Sequence, residues 1–269
     1  MKFSFHGTKG EIEEENSRHR YHSSLEVTGT DGSIIIDFGE KHSEMLSGMI
    51  NDFDGLLITH AHPDHYVWTK RDEPAITIPV YLTEKALNYG IKRPVNPVVI
   101  EPGVTFNIKQ FEITPFDVIH SIRCPAVCFK ITWSRKKEAS AKTETAEIQN
   151  GKKLKEDMKE IKNIIYAPDI LDTRLPKEEV LEEIDMLVAD GSSFDVNLVR
   201  KRDGMLYGHA MIRTIANWCL KYKIPELIVT HCGKQIVTGD EKFFTERIND
   251  ISGGNLAFRI AYDGLEMEI

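Results

Sequence analysis

The run LLITHAHPDHYVW, residues 56–68, constrains this chain more than any other stretch. A short apolar segment, Leu56 to Thr59, reads as a buried strand, and His60, His62, Asp64 and His65 follow almost at once. Pro63 cannot continue a strand ladder and fixes a turn. Residues two apart in an extended chain point to one side, so His60 and His62 face together. The turn then aims Asp64 and His65 back toward them. Imidazole nitrogens and a carboxylate oxygen suit zinc and similar borderline cations. Ten histidines strewn by chance along the chain would lack this order.

At 269 residues the chain can bury a large core, and no internal repeat or linker divides it. One domain spanning 1–269 is expected. A net charge of −8 weighs against a general nucleic-acid binder. No apolar run approaches membrane-spanning length, and MKFSFHGTKG lacks the apolar stretch of a signal peptide. A cytoplasmic protein with no membrane partner is therefore expected. Its four cysteines, Cys124, Cys128, Cys219 and Cys232, are then expected as reduced thiols. The CxxxC spacing of Cys124 and Cys128 could bind metal, but fits a bend and a strand better.

Strand-like runs recur, among them FSFHG, SIIIDFG, FEITPFDVI, AVCFKITW, NIIYAPDI, DMLVADG and ELIVTHC. Helical patterns cover 44–51, 84–89, 177–184, 210–223 and 241–250, with Thr83 and Asp240 as N-caps. Hairpins followed by mixed strand and helix indicate a layered α/β protein with sizeable sheets. Ser134 to Lys162 departs from this: it is rich in both charge signs and poor in apolar residues. It reads as a solvated excursion between two strands, or as an arm over the active site.

A site for two metals needs more ligands than one loop supplies. The candidates are the first His or Asp after later apolar runs: His120 after ITPFDVI, Asp169 after NIIYAP and His231 after ELIVT. With the first cluster they make seven N/O donors and no thiolate, which favours zinc, with manganese or iron as alternatives.

These motifs resemble the metallo-β-lactamase superfamily of binuclear hydrolases. The HxHxDH signature stands here as His60-Ala61-His62-Pro63-Asp64-His65, and IIIDFG supplies Asp37, which in the family supports the metal loop without binding metal. The resemblance spans nearly the whole chain outside 134–162 and implies an αββα sandwich, two mixed sheets flanked by helices with the site at one edge. It places His60, His62 and His120 on one divalent metal ion, Asp64, His65 and His231 on the other, and Asp169 between them. His62 stands where redox di-iron relatives carry Glu, which points to hydrolysis.

Gly208-His209, about twenty residues before His231 and opening an amphipathic helix, narrows the branch. A similar histidine marks the phosphodiesterases of the superfamily, ribonuclease Z and the phosphoribosyl cyclic-phosphate phosphodiesterases among them. The resemblance thus implies a phosphodiesterase acting on a small cyclic or diester phosphate through a hydroxide shared by two metals. Asp64 would orient the nucleophile, and His209 would protonate the leaving oxygen. Arg18, Arg20, His22 and Ser24 in the N-terminal loop, and Arg123 after His120, are candidate phosphate contacts, since arginine forks match phosphate oxygens. Lys234 and Gln235 are weaker ones. The alternatives are a ribonuclease Z-like nuclease, a lactone or thioester hydrolase of the same fold, and a scaffold that kept the fold without the activity. A homodimer is compatible with all of them.

Overall fold

The computed structural model describes residues 1–70, 72–73, 75–136 and 159–269. Two large sheets dominate. The first runs Glu266–Glu268, Lys2–Gly7, Ser24–Thr28, Ser33–Ile36, Gly55–Leu57, Val80–Thr83, Pro97–Ile100 across its width. The second runs Asp172–Thr173, Phe111–Ile119, Ala126–Lys136, Lys159–Ala167, Met186–Asp190, Glu226–Thr230, Ala257–Ile260, with Phe106–Ile108 also paired to Phe111–Ile119. Each sheet is antiparallel in one half and parallel in the other. Parallel strands are stable only when both faces are covered, and here they are.

The covering follows from strand periodicity. Along Ala126–Lys136, Val127, Phe129, Ile131 and Trp133 pack against Ile34, Ile36 and Leu57 of the other sheet. The intervening Ala126 and Cys128 face the other way, onto Ile212, Ile215 and Ala216 of the helix Ile212–Tyr222 and onto Val180 of Lys177–Leu181. Successive side chains on a strand alternate faces, so a continuous apolar run serves both layers. On the first sheet Ile35, Leu56 and Ile58 point outward to Leu46, Ala86 and Trp68. The result is the expected αββα sandwich. Phe129 is fully buried between the sheets. Phe129→Ala should cost about 3–5 kcal/mol, read as a lower urea midpoint at unchanged slope; a loss under about 1 kcal/mol would mean that the two sheets do not share this core.

Several boundaries differ from the sequence pattern. The 44–51 helix ends at Met49 and tightens into a 3₁₀ turn, Ile50–Asp52. The 177–184 helix stops at Leu181, with Glu182 extended and Glu183 left-handed at φ 58°. The last helix runs on to Ser252, where Gly253 caps it at φ 58°. Thr83 and Asp240 accept hydrogen bonds from the amides of Ala86 and Lys242 as N-caps. A hairpin, Arg200–Arg202 with Met205–Tyr207, was not foreseen, although Asp203-Gly204, both at positive φ, is a strong hairpin-turn signal. Of the charged segment at 134–162, residues 134–136 and 159–162 belong to paired strands; the remainder lies outside the described residues. Cys124 and Cys128 are buried in separate clusters, and the four cysteines are free.

Burial also sets an acid limit. His19 is buried beside Thr8, whose Oγ1 lies 2.9 Å from its Nδ1, and desolvation pushes its pKa down from 6.5 to about 4. The folded chain refuses a proton that the unfolded chain accepts below 6.5, so this contribution is whole above pH 6.5 and is lost as pH falls toward 4. His19→Gln should flatten that part of the stability profile. An unchanged slope between pH 6.5 and 4.5 would show that His19 is not held neutral.

Candidate active site

The site sits where the parallel strands of both sheets end. Leu57 closes one strand, and the turn after it folds back through hydrogen bonds from the amides of His65 and Tyr66 to His62 O, at 3.0 and 2.9 Å. Thr59 O accepts from Val127 N at 3.0 Å, tying the turn to the second sheet. His231 follows the strand Glu226–Thr230 at φ 52°, an uncommon conformation for a residue with a side chain. Gly10 lies against its ring: a Cβ there would come 2.8 Å from His231 Cε1, so only glycine lets the N-terminal loop pass over this histidine.

The seven expected ligands come together in two sets. In the first, His62 Nδ1 lies 3.0 Å from His60 Nε2 and 3.3 Å from His120 Nε2. Donors each about 2 Å from a tetrahedral ion stand about 3.3 Å apart, so this triangle fits one cation. In the second, Asp64 Oδ2 is 2.8 Å from His231 Nε2 and 3.5 Å from His65 Nε2. Asp169 Oδ2 approaches both sets, 2.8 Å from His65 Nε2 and 3.3 Å from His60 Nε2. His65 Nε2 is buried and faces the carboxylate oxygens of Asp64 and Asp169. A buried donor atom of this kind, aimed at a cluster of like atoms, is satisfied by a cation. The donor set therefore fits two divalent metals.

The opposite edges of the rings are anchored. Asp37 is fully buried at φ 62° and accepts a hydrogen bond from His65 Nδ1 at 2.7 Å, while also accepting from Thr59 N at 2.8 Å. Thr59 Oγ1 lies 3.1 Å from His60 Nδ1. Such partners fix the tautomer and aim of a metal-binding imidazole. Burial drives the pKa of His60 well down and that of His120 to about 4, which keeps both neutral and able to donate a lone pair. Burial alone would raise Asp64, but His65 and His231 hold it well below the usual carboxylate range. His65 is pushed well up against its burial by Asp64, Asp37 and Asp169.

Beside the two sets stands a third group. His209 Nδ1 lies 2.8 Å from Asp190 Oδ2, 3.1 Å from Ser192 Oγ and 3.2 Å from Asp169 Oδ1. Ser192 Oγ is also 3.1 Å from His231 Nδ1. This group meets His231 on its Nδ1 edge, behind the nitrogen that faces Asp64, and so reads as a hydrogen-bond network rather than a third metal set. Asp190 is fully buried and is further held by the amide of Ile170 at 3.0 Å. Against the cost of burial, Asp190 and Asp169 push His209 well up, toward the imidazolium form. Sequence reasoning overlooked Asp190 and Ser192. Asp190 follows the apolar run MLVA as Asp169 follows its own, so the same signal was present.

A cavity of about 810 Å³ opens over the ligands, with His209 in its wall. None of the five phosphate candidates lines it. Arg18 pairs with Glu241 at 2.8 Å and lies over the Tyr262 ring. Arg20 is exposed beside Tyr21. His22 is buried and accepts from Lys41 N at 3.2 Å. Ser24 is buried in the first sheet, and Arg123 is exposed and not among the lining residues. Lys234 and Gln235 do line it.

Comparison with known proteins agrees with this geometry. Residues 18–126 match the model of the metallo-beta-lactamase superfamily. No curated protein matches in sequence. The whole fold is similar to the metallo-beta-lactamase fold protein YhfI from Bacillus subtilis, at 16% identity and TM-score 0.64 over 99% of each chain. It is similar to a diphosphatase of the PhnP family, at 15% identity and TM-score 0.61 over 100% of this chain and 97% of that one. It is also similar to zinc-bound PqqB from Methylobacterium extorquens, at 14% identity and TM-score 0.66 over 100% of both. The matched segment contains Asp37, His60, His62, Asp64, His65 and His120, and the fold is that of the metallo-beta-lactamase proteins it resembles.

Proposed function

We propose that the chain is a binuclear metallophosphodiesterase acting on a small cyclic or diester phosphate, with zinc as the favoured metal. His60, His62 and His120 would hold one cation, and Asp64, His65 and His231, with Asp169, a second. Two such cations supply Lewis-acid activation of water and of the phosphoryl group. Asp64 keeps a second carboxylate oxygen to orient the attacking water and take its proton. His209, gripped at Nδ1 by Asp190, is left with Nε2 for the substrate. As the new P–O bond forms and the ester P–O bond breaks, His209 gives its proton to the departing alkoxide. An alkoxide is a poor leaving group, and a placed acid of this kind contributes about 10²–10⁴ in rate.

The observation that carries this reading is the Asp190–His209 pair at 2.8 Å, set beside the ligands in the cavity wall. Thioester opening, which expels a thiolate, does not call for so strongly held an acid. Similarity to a PhnP-family diphosphatase agrees with phosphoryl chemistry. Purified protein loaded with zinc or manganese should hydrolyse bis(p-nitrophenyl) phosphate and a cyclic phosphate faster than a lactone or thioester; the reverse order would refute the reading.

Metal and proton should compete. Ligand histidines bind metal only when neutral, and burial gives His60 and His120 that state in the folded chain. Activity should fall as pH drops and the ligand histidines gain protons, and excess metal should move that loss to lower pH. An acid limb indifferent to metal concentration would count against these ligands.

A further inference from the structure

The lysine in the cavity wall is already paired, and so are other lysines that meet the N-terminal loop and its neighbour Glu40. The N-terminal loop carries Glu11, Glu13, Glu14 and Glu15. Glu14 forms an ion pair with Lys234, the lysine in the cavity wall. Glu15 pairs with Lys41 and lies 3.9 Å from Lys9 Nζ, which also donates to Ile12 O at 2.8 Å. Glu40 holds Lys70 at 3.6 Å. Glu11 itself lines the cavity, and among the described residues no lysine or arginine lies within ion-pair distance of it. Its near partner is His22, 3.5 Å away, which burial keeps neutral near pH 7. Among the described residues, beyond the metal ligands and His209, the wall therefore offers one carboxylate without a cationic partner, and its one lysine is already paired.

The rest of that wall is apolar. Ile12 is half-buried and packs its body on the helix-side core, while Val196 and Leu198 face it from the loop before the Arg200–Arg202 hairpin. Val196 is 52% exposed, more than a side chain with a packing role needs. A terminal phosphate or a nucleic-acid backbone placed here would lose its hydration without gaining a cation, and would face Glu11. An alkyl or aryl group would cover apolar surface at no such cost.

We propose that the substituent received by this wall is apolar and uncharged, so that the substrate is a singly charged diester bearing an alkyl or aryl group, and not a phosphorylated sugar, a nucleoside polyphosphate or an RNA chain. The diester part rests on the function proposed above; the nature of the substituent rests on Glu11, Ile12, Val196 and Leu198, with Lys234 held by Glu14.

The test uses the full chain loaded with metal and two readouts. The first is hydrolysis of p-nitrophenyl phosphodiesters whose second group is methyl, butyl or 2-phosphoethyl. The second is calorimetric binding of the unreactive methylphosphonate monoesters carrying the same three groups. Butyl should exceed methyl by about tenfold or more in both, from the added buried methylenes, and 2-phosphoethyl should be worst. Leu198→Ala should narrow the butyl-to-methyl ratio. Glu11→Gln should raise the 2-phosphoethyl-to-methyl ratio by about fivefold at low salt, and less at high salt. A preference for 2-phosphoethyl over butyl, or a ratio untouched by Glu11→Gln, would overturn the inference while leaving phosphodiester hydrolysis standing. Butyl-selective binding, with hydrolysis only of butyl carboxylic esters, would support the inference and refute the diesterase reading.

Discussion

His60→Ala is expected to leave a folded protein that binds fewer than two metals and has lost nearly all hydrolysis. His60 Nε2 faces both His62 Nδ1 and Asp169 Oδ2, so its removal empties one corner of the first set and unsettles the carboxylate shared by the two. A site with too few donors cannot hold its cation. The loss should exceed the roughly 10–100-fold that follows removal of a supporting residue. Asp37→Asn supplies that comparison. Asp37 grips His65 from behind and touches no cavity atom, so its variant should keep measurable metal at weakened affinity. Equal metal content in wild type and His60→Ala would remove His60 from the ligand set.

His209→Ala should behave differently. It should retain both metals, because Asp190, Ser192 and Asp169 hold His209 through Nδ1, outside the two donor triangles. Its kcat should fall by about 10²–10⁴ on diesters with alkoxide leaving groups, and far less on p-nitrophenyl esters, whose leaving group departs without a proton. The loss belongs in kcat rather than KM, since proton donation matters in the transition state and not in ground-state binding. Asp190→Asn should weaken the same step to a smaller degree and lower the pH at which the basic limb begins, because Asp190 chiefly maintains the imidazolium against burial. Equal losses on both leaving groups would refute the acid role; metal loss on His209→Ala would make it a ligand.

The cluster of histidines and carboxylates was legible because metal-binding chemistry writes itself into sequence in two ways. HxHxDH is compact, and a ligand at a strand end is the first polar residue after an apolar run, as at His120, Asp169 and His231. That second rule also selects Asp190. It was passed over because a buried carboxylate that binds a histidine and one that binds a metal look alike in sequence, and only the direction of the side chain separates them. The alternation VCFKITW was readable as a strand, and its two faces meet two different layers. The arginines failed to line the cavity for a physical reason. Arg18 meets Glu241 and Tyr262 from the far end of the chain, a pairing that no local pattern encodes. The acidic run EIEEE finds its lysine partners, Lys41 and Lys234, at positions also distant in sequence.

Anomalous diffraction from zinc-loaded crystals, at the metal edge, tests the binuclear centre most directly. Two peaks are predicted per chain: one bonded to His60, His62 and His120, one to Asp64, His65 and His231, with Asp169 reaching both and His209 bonded to neither. A single peak, or a peak bonded to His209 and Asp190, would contradict it.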